Sequence, residues 1–205
     1  MRIAIFLPNW IGDVAMATPA LRAIRQHYGF TDHLIAVGRP YVEPVLQGSP
    51  YFDEWMTYEP RPSGKRDLAK GLRQANIDMA LLLTNSLSTA LLAWWGGARR
   101  RVGFVRYWRG PLLTDRLHAP RRGRGLLPRS AVDHYLEIAQ SIGCQSTSKR
   151  LELTTTASDE QQADHIWQQP EVIHARQVVI LNTGSARGLA KSWPLDSFRK
   201  MALQL

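Results

Sequence analysis

The chain alternates apolar strand and amphipathic helix from its first residues. Residues 2–7 (Arg-Ile-Ala-Ile-Phe-Leu) are an almost unbroken apolar run. Such a run suits a strand covered on both faces, the environment of a parallel sheet. A turn follows over 8–12. Val14, Ala17, Leu21 and Ile24 then recur at helical spacing, and Gly29 supplies the stop. The same reading predicts strands over 33–37, 51–57, 78–83 and 101–105, separated by helices over 41–46, 65–75 and 86–95. Residues 106–130 are rich in Arg, Gly and Pro, show no period, and read as loop. Helices are expected over 131–142 and 158–168, the second capped by Ser158 and ended by Pro170. Residues 177–181 (Gln-Val-Val-Ile-Leu) read as another buried strand, followed by a turn over 182–185 and a helix over 193–203.

Strand alternating with helix predicts an α/β fold with a doubly wound parallel sheet. Residue 177 onward restates the strand, turn, helix order of residues 2–28. That predicts a Rossmann-like domain over 1–170 and the beginning of a second one over 171–205. The last helix has no capping residue before Leu205, so the functional unit is expected to be longer than these 205 residues.

Cys144 is the single cysteine. One thiol excludes an internal disulfide framework and a multi-cysteine zinc site, and it suits a reducing compartment. The six histidines show no ligand spacing, so no metal site is expected. The apolar stretches at 3–7, 79–83 and 90–95 are too short for a secretory signal or for the roughly 20 residues that cross a bilayer. A soluble, cytoplasmic chain is expected.

Charge is distributed unevenly. Ten arginines lie between residues 99 and 130 with one acid, Asp115; that local +9 equals the net charge of the whole chain. Localised fixed charge calls for an anionic partner: nucleic acid, a membrane surface, or a phosphorylated substrate. Arginine throughout favours bidentate phosphate or carboxylate recognition. No helix-turn-helix, RNP or zinc-finger signature accompanies it, which weighs against nucleic acid. A second basic group, Arg61, Lys65 and Arg66, follows the third predicted strand.

Two strand ends hold the candidate chemistry. In Pro8-Asn9-Trp10-Ile11-Gly12-Asp13, Gly12 permits close backbone approach, and the helix start offers free N–H groups. Asp13 has two readings: a carboxylate that caps the helix and meets its dipole, or a general base for a hydroxyl held in the cleft. In Asn182-Thr183-Gly184-Ser185, two hydroxyls and a glycine turn stand at a strand end, with Lys191 six residues on. That set suits a diphosphate, or is an ordinary polar turn. Neither G-x-G-x-x-G nor a Walker A ending is present.

Taken together these motifs resemble glycosyltransferase family 9, the bacterial lipopolysaccharide heptosyltransferases. The opening over 5–25, Ile-Phe-Leu-Pro-Asn-Trp-Ile-Gly-Asp-Val-Ala-Met-Ala-Thr-Pro-Ala-Leu-Arg-Ala-Ile-Arg, is similar to the family's N-terminal signature, and its Trp-Ile-Gly-Asp resembles the heptosyltransferase II branch. The stretch 181–194, with Lys191 ahead of Trp193-Pro194, is similar to the segment opening the family's C-terminal domain. Residues 132–136, Val-Asp-His-Tyr-Leu, resemble the stretch before its linker. The resemblance implies a GT-B fold of two Rossmann-like domains and an inverting transfer without metal or cofactor. ADP-heptose, or a related nucleotide sugar, is the implied donor. The implied acceptor is a phosphorylated, lipid-linked saccharide, the lipid A-Kdo inner core, at the cytoplasmic face of the inner membrane. Asp13 falls on the family's base, and Thr183, Ser185 and Lys191 on its diphosphate ligands. Trp10, Gly12, Arg61, Lys65, Arg66 and Arg106 are the expected acceptor contacts. The arginines would then meet the acceptor and an anionic membrane surface, with no nucleic acid expected. The family's later donor-side motifs are absent from these residues. The rival readings are a family 9 enzyme with another sugar or acceptor, and a non-catalytic module that binds anionic lipid or nucleic acid.

Overall fold

Alternate residues of the first strand serve two cores. In β1 (Arg2–Phe6), Ile3 and Ile5 belong to one buried cluster, and Ala4 and Phe6 to another on the opposite face. This two-sided burial is what its unbroken apolar sequence requires. The computed structural model describes residues 1–123, 125–146, 148–184 and 192–204, without the side chains of Arg122 and Leu126. They divide into two compact units, Met1–Thr156 and Ala157–Leu205.

The first unit holds five further strands of one sheet: β2 (His33–Gly38), β3 (Glu54–Thr57), β4 (Met79–Leu82), β5 (Arg100–Phe104) and β6 (Asp115–Leu117). All are parallel, in the order β3-β2-β1-β4-β5-β6. This is the doubly wound Rossmann order. On one face lie α1 (Ile11–Tyr28), the short α2 (Glu43–Leu46) and α5 (Ala131–Gln140); on the other, α3 (Pro62–Gln74) and α4 (Leu87–Trp95). The face of α1 and α5 contains Cys144, which is 2% exposed.

Two local devices shape α1. Pro19 lies inside it and has no N–H to give the Ala15 carbonyl. The Thr18 hydroxyl donates to that carbonyl instead, at 2.7 Å. The same oxygen accepts from the Glu152 amide at 3.0 Å, and Arg22 donates to the Ser148 carbonyl at 3.0 Å and pairs with Glu152. Residues 148–155 are thus strapped along α1. Gly48 makes room for the strap: a Cβ there would stand 2.2 Å from the Thr154 carbonyl oxygen.

Two expectations change. Residues 106–130 are not plain loop. They contain a 3-10 turn at Gly110–Leu112, the edge strand β6, and an antiparallel pair, β7 (Arg121–Arg122) with β8 (Gly125–Leu126). Residues 177–181, expected as a buried strand, join no sheet. Val178, Val179 and Ile180 are 46%, 55% and 85% exposed. Apolar composition makes a buried strand only where flanking strands complete its ladder, and no strand forms among the described residues of this unit. The unit contains α6 (Ala157–Trp167), α7 (Pro170–Ile173) and α8 (Leu195–Ala202).

Candidate active site

In a parallel sheet of this order the chain leaves β1 and β4 toward opposite faces, opening a crevice at their carboxyl ends. The segments that border it are residues 7–13 after β1 and 83–86 after β4. Trp10, Gly12 and Asp13 stand there, and the loop is pinned by the Tyr41 hydroxyl donating to the Asn9 carbonyl at 2.7 Å. Trp10 is 59% exposed, and a Cβ on Gly12 would meet open space.

Asp13 is half-buried in the first turn of α1. It is not the cap, because the N-cap position is Trp10, which supplies no side-chain bond. Its carboxylate meets Tyr135 on the neighbouring α5. Burial, then the charge of Asp13 and its hydrogen bond, hold the Tyr135 phenol well above its usual range. The phenol therefore stays protonated and faces the carboxylate as a donor.

Next to Tyr135, His134 stacks on Phe104 with ring centroids 4.2 Å apart. Its Nε2 lies 3.2 Å from Asn85 Nδ2. Burial first, then Arg129, Arg106 and Arg109, lower its pKa to about 4. The ring is neutral at pH 7. Asn85 in turn receives Arg109 through its Oδ1, at 3.1 Å. Arg109 is fully buried, and it also donates to the Phe104 carbonyl at 2.8 Å and to the Thr84 carbonyl. Burial pushes its pKa down to about 10, which still leaves it charged at neutral pH. Arg109 thus ties together the segments leaving β4 and β5. Above it, Tyr107 and Trp108 adopt left-handed backbone conformations, with φ of 47° and 62°, and both are exposed.

A pocket of about 410 Å³ opens on this network, lined by Asn85, Phe104, Arg106, Arg129, Ser130 and His134. Arg106 therefore shares the carboxyl edge of the sheet with Asp13. Ser130 caps α5 by accepting from the Val132 amide at 3.2 Å. Tyr135, Asn85, His134 and Arg109 carry no role in the sequence reading. The one signal that points at two of them is the 132–136 stretch.

The other expected residues lie elsewhere. Arg61 precedes α3 beside the β3 edge. Lys65 and Arg66 line a groove between α3 and α4, on the face of the sheet opposite α1. Thr183 is exposed in the second unit, where the Gly184 amide donates to Asn182 Oδ1 at 3.1 Å and makes a local polar turn. Ser185 and Lys191 lie outside the described residues.

The arginine run does not act as one surface. Arg100 pairs with Asp115 at 2.8 Å, Arg129 with Glu137, and Arg99 with Asp78 at 3.6 Å. Arg101 donates to the Leu112 and Ala98 carbonyls at 2.6 Å each, and Arg109 is interior. Arg101 and Arg109 satisfy carbonyls that a lysine would reach singly, and Arg99, Arg100 and Arg129 are already paired with carboxylates.

The family model for glycosyltransferase family 9 (heptosyltransferase) matches residues 65–205. Lipopolysaccharide heptosyltransferase 2 of Escherichia coli strain K12 is 26% identical over all of this chain, which covers 60% of that protein. Lipooligosaccharide heptosyltransferase 2 of Campylobacter jejuni is 22% identical over 99% of this chain and 56% of its own length. Among solved structures, the family 9 glycosyl transferase from Veillonella parvula superposes with a TM-score of 0.77 at 23% identity, over 98% of this chain and 58% of that one. The E. coli ADP-heptose lps heptosyltransferase II gives 0.71 at 21%, over 100% and 61%. The chain thus spans about 60% of the length of these relatives. With the doubly wound sheet, the matched model covers more than half of the sequence, and the chain belongs to glycosyltransferase family 9.

Proposed function

We propose that this chain carries the acceptor-side part of an inverting, metal-independent glycosyltransferase. In this reading it moves heptose from ADP-heptose to the lipid A-Kdo inner core of lipopolysaccharide, at the cytoplasmic face of the inner membrane. Residues 1–170 form the acceptor-side domain, and 171–205 begin the domain that holds the donor.

One observation carries the reading. The carboxylate of Asp13 stands half-buried at the topological switch point, beside Tyr135 of α5, and is not used as the helix cap. A carboxylate so placed accepts the proton of an acceptor hydroxyl. The hydroxyl oxygen attacks the anomeric carbon of the donor from the side opposite the diphosphate. The carbon–oxygen bond to the diphosphate breaks, and ADP leaves. Thr183, Ser185 and Lys191 receive the departing charge, work otherwise done by a metal ion. Trp10, Gly12 and Arg106 border the acceptor, while Arg61, Lys65 and Arg66 lie beyond that crevice.

The test is ADP release by the full chain from ADP-heptose, with and without a lipid A-Kdo acceptor. Acceptor-dependent release that Asp13→Ala abolishes, with acceptor binding retained, is the expected result. Equal turnover by the variant overturns the assignment of the base.

A further inference from the structure

A second cavity lies away from Asp13. It is an open groove of about 930 Å³ between α3 and α4. Its floor is apolar: Leu91 and Leu92 from α4 and Ala69 from α3. Leu87 and Trp95 reach its margin, and they are 40% and 48% exposed. Trp94 beside them is 51% exposed.

Its other margin is cationic. Lys65, Arg66, Lys70 and Arg73 line the groove, and no acidic residue does so. Arg73 donates to the Trp95 carbonyl, and none of the ion pairs among the described residues involves Lys65, Arg66, Lys70 or Arg73. Asp67, the acid of α3, faces the β3 side instead. Among residues 99–130, by contrast, Arg99, Arg100 and Arg129 are ion-paired.

We infer that the α3–α4 groove is the surface by which this chain sits on a phospholipid bilayer carrying anionic headgroups. The proposal deepens the membrane contact in the reading above and rests on that part of it alone. Charge complementarity selects the occupant. An apolar floor between a row of cations and exposed tryptophans matches a bilayer interface, where acyl chains meet phosphate. Long lysine and arginine stems lie along the apolar floor and lift their charges to the headgroups. A second copy of the chain fits badly, because a two-fold contact would oppose like charges.

The test is sedimentation of the full chain with vesicles of phosphatidylcholine alone, or with about one quarter phosphatidylglycerol. Each basic residue near an anionic surface contributes about fivefold in partitioning. Arg66→Gln with Lys70→Gln, two exposed positions, is therefore expected to weaken binding to the anionic vesicles about 25-fold. Trp95→Ala is expected to weaken it as well, and raised salt to weaken the wild type. Arg116→Gln with Arg121→Gln, on the other basic region, is expected to leave binding within about twofold. No binding to anionic vesicles, equal binding to both vesicle types, or a loss confined to the Arg116/Arg121 pair overturns the proposal. Vesicle binding involves no nucleotide sugar. A chain that binds but transfers nothing sinks the catalytic reading and leaves this one standing.

Discussion

Arg109 donates to Asn85 Oδ1 at 3.1 Å, and that bond decides which end of Asn85 faces His134. A guanidinium only donates, so the acceptor must be the amide oxygen. The Asn85 nitrogen is left to point at His134 Nε2, 3.2 Å away. Nε2 must then accept, and the single proton of the neutral ring sits on Nδ1. One interior arginine thereby fixes a tautomer two residues away in the network.

Replacing it tests the chain of bonds. Arg109→Met strands the Thr84 and Phe104 carbonyls and the Asn85 oxygen. Relief of a buried charge offsets part of that loss. The expected net cost is about 2–4 kcal/mol, read from the urea midpoint. In Arg109→Lys, a single ammonium cannot hold all three acceptors, and the ¹⁵N shifts of His134 should report a mixed tautomer.

Acid stability should have a step that belongs to His134. Its folded pKa is about 4 against an ordinary 6.5, so the unfolded chain takes up this proton first. Stability is complete above about pH 6.5 and falls as the pH drops toward 4. Asp53 and Asp115 are depressed carboxylates, held down by Arg25 and Arg100, and they withdraw their support only below the ordinary 3.8. Denaturation midpoints between pH 6.5 and 4.5 therefore isolate the histidine. His134→Gln is expected to flatten that slope, and an unchanged slope would assign it to another group.

Tyr135→Phe probes the site more finely than removing Asp13. The phenol ring stays and only the donor to the carboxylate is lost, for about 1 kcal/mol of stability. Turnover is expected to fall while acceptor KM holds, read from steady-state kinetics beside the wild type. Asp13→Asn should lower kcat by about 10²–10⁴ with little change in acceptor KM.

Gly48→Ala addresses the strap along α1. The added carbon would meet backbone at 2.2 Å, so residues 152–155 must lift away. The amide of Glu152 would lose the Thr18 oxygen, and its hydrogen exchange is expected to accelerate while that of β1 does not.

The sheet was readable because each central strand is apolar on both faces, and only a doubly covered sheet tolerates that. Asp115–Leu117 is not legible as a strand because three edge residues with a charged outer side carry no period. Residues 177–181 misled for the opposite reason: their composition is that of a buried strand, but pairing depends on neighbours that composition does not describe. Asp13 was visible as a carboxylate at a strand-to-helix junction. Tyr135 was not, since on α5 it reads as one more core aromatic. In sequence Arg109 reads as one more surface charge, because nothing local distinguishes a guanidinium that feeds carbonyls from one that waits for an anion.

The interior position of Cys144 has a practical side. Its thiol is pushed up to about 11 by burial, so maleimide chemistry near neutral pH will pass it by. A cysteine placed at exposed Lys70 or Trp108 would then accept a fluorophore without first stripping the native sulfur, and the α3–α4 groove and the Tyr107–Trp108 turn could be watched separately as vesicles are added.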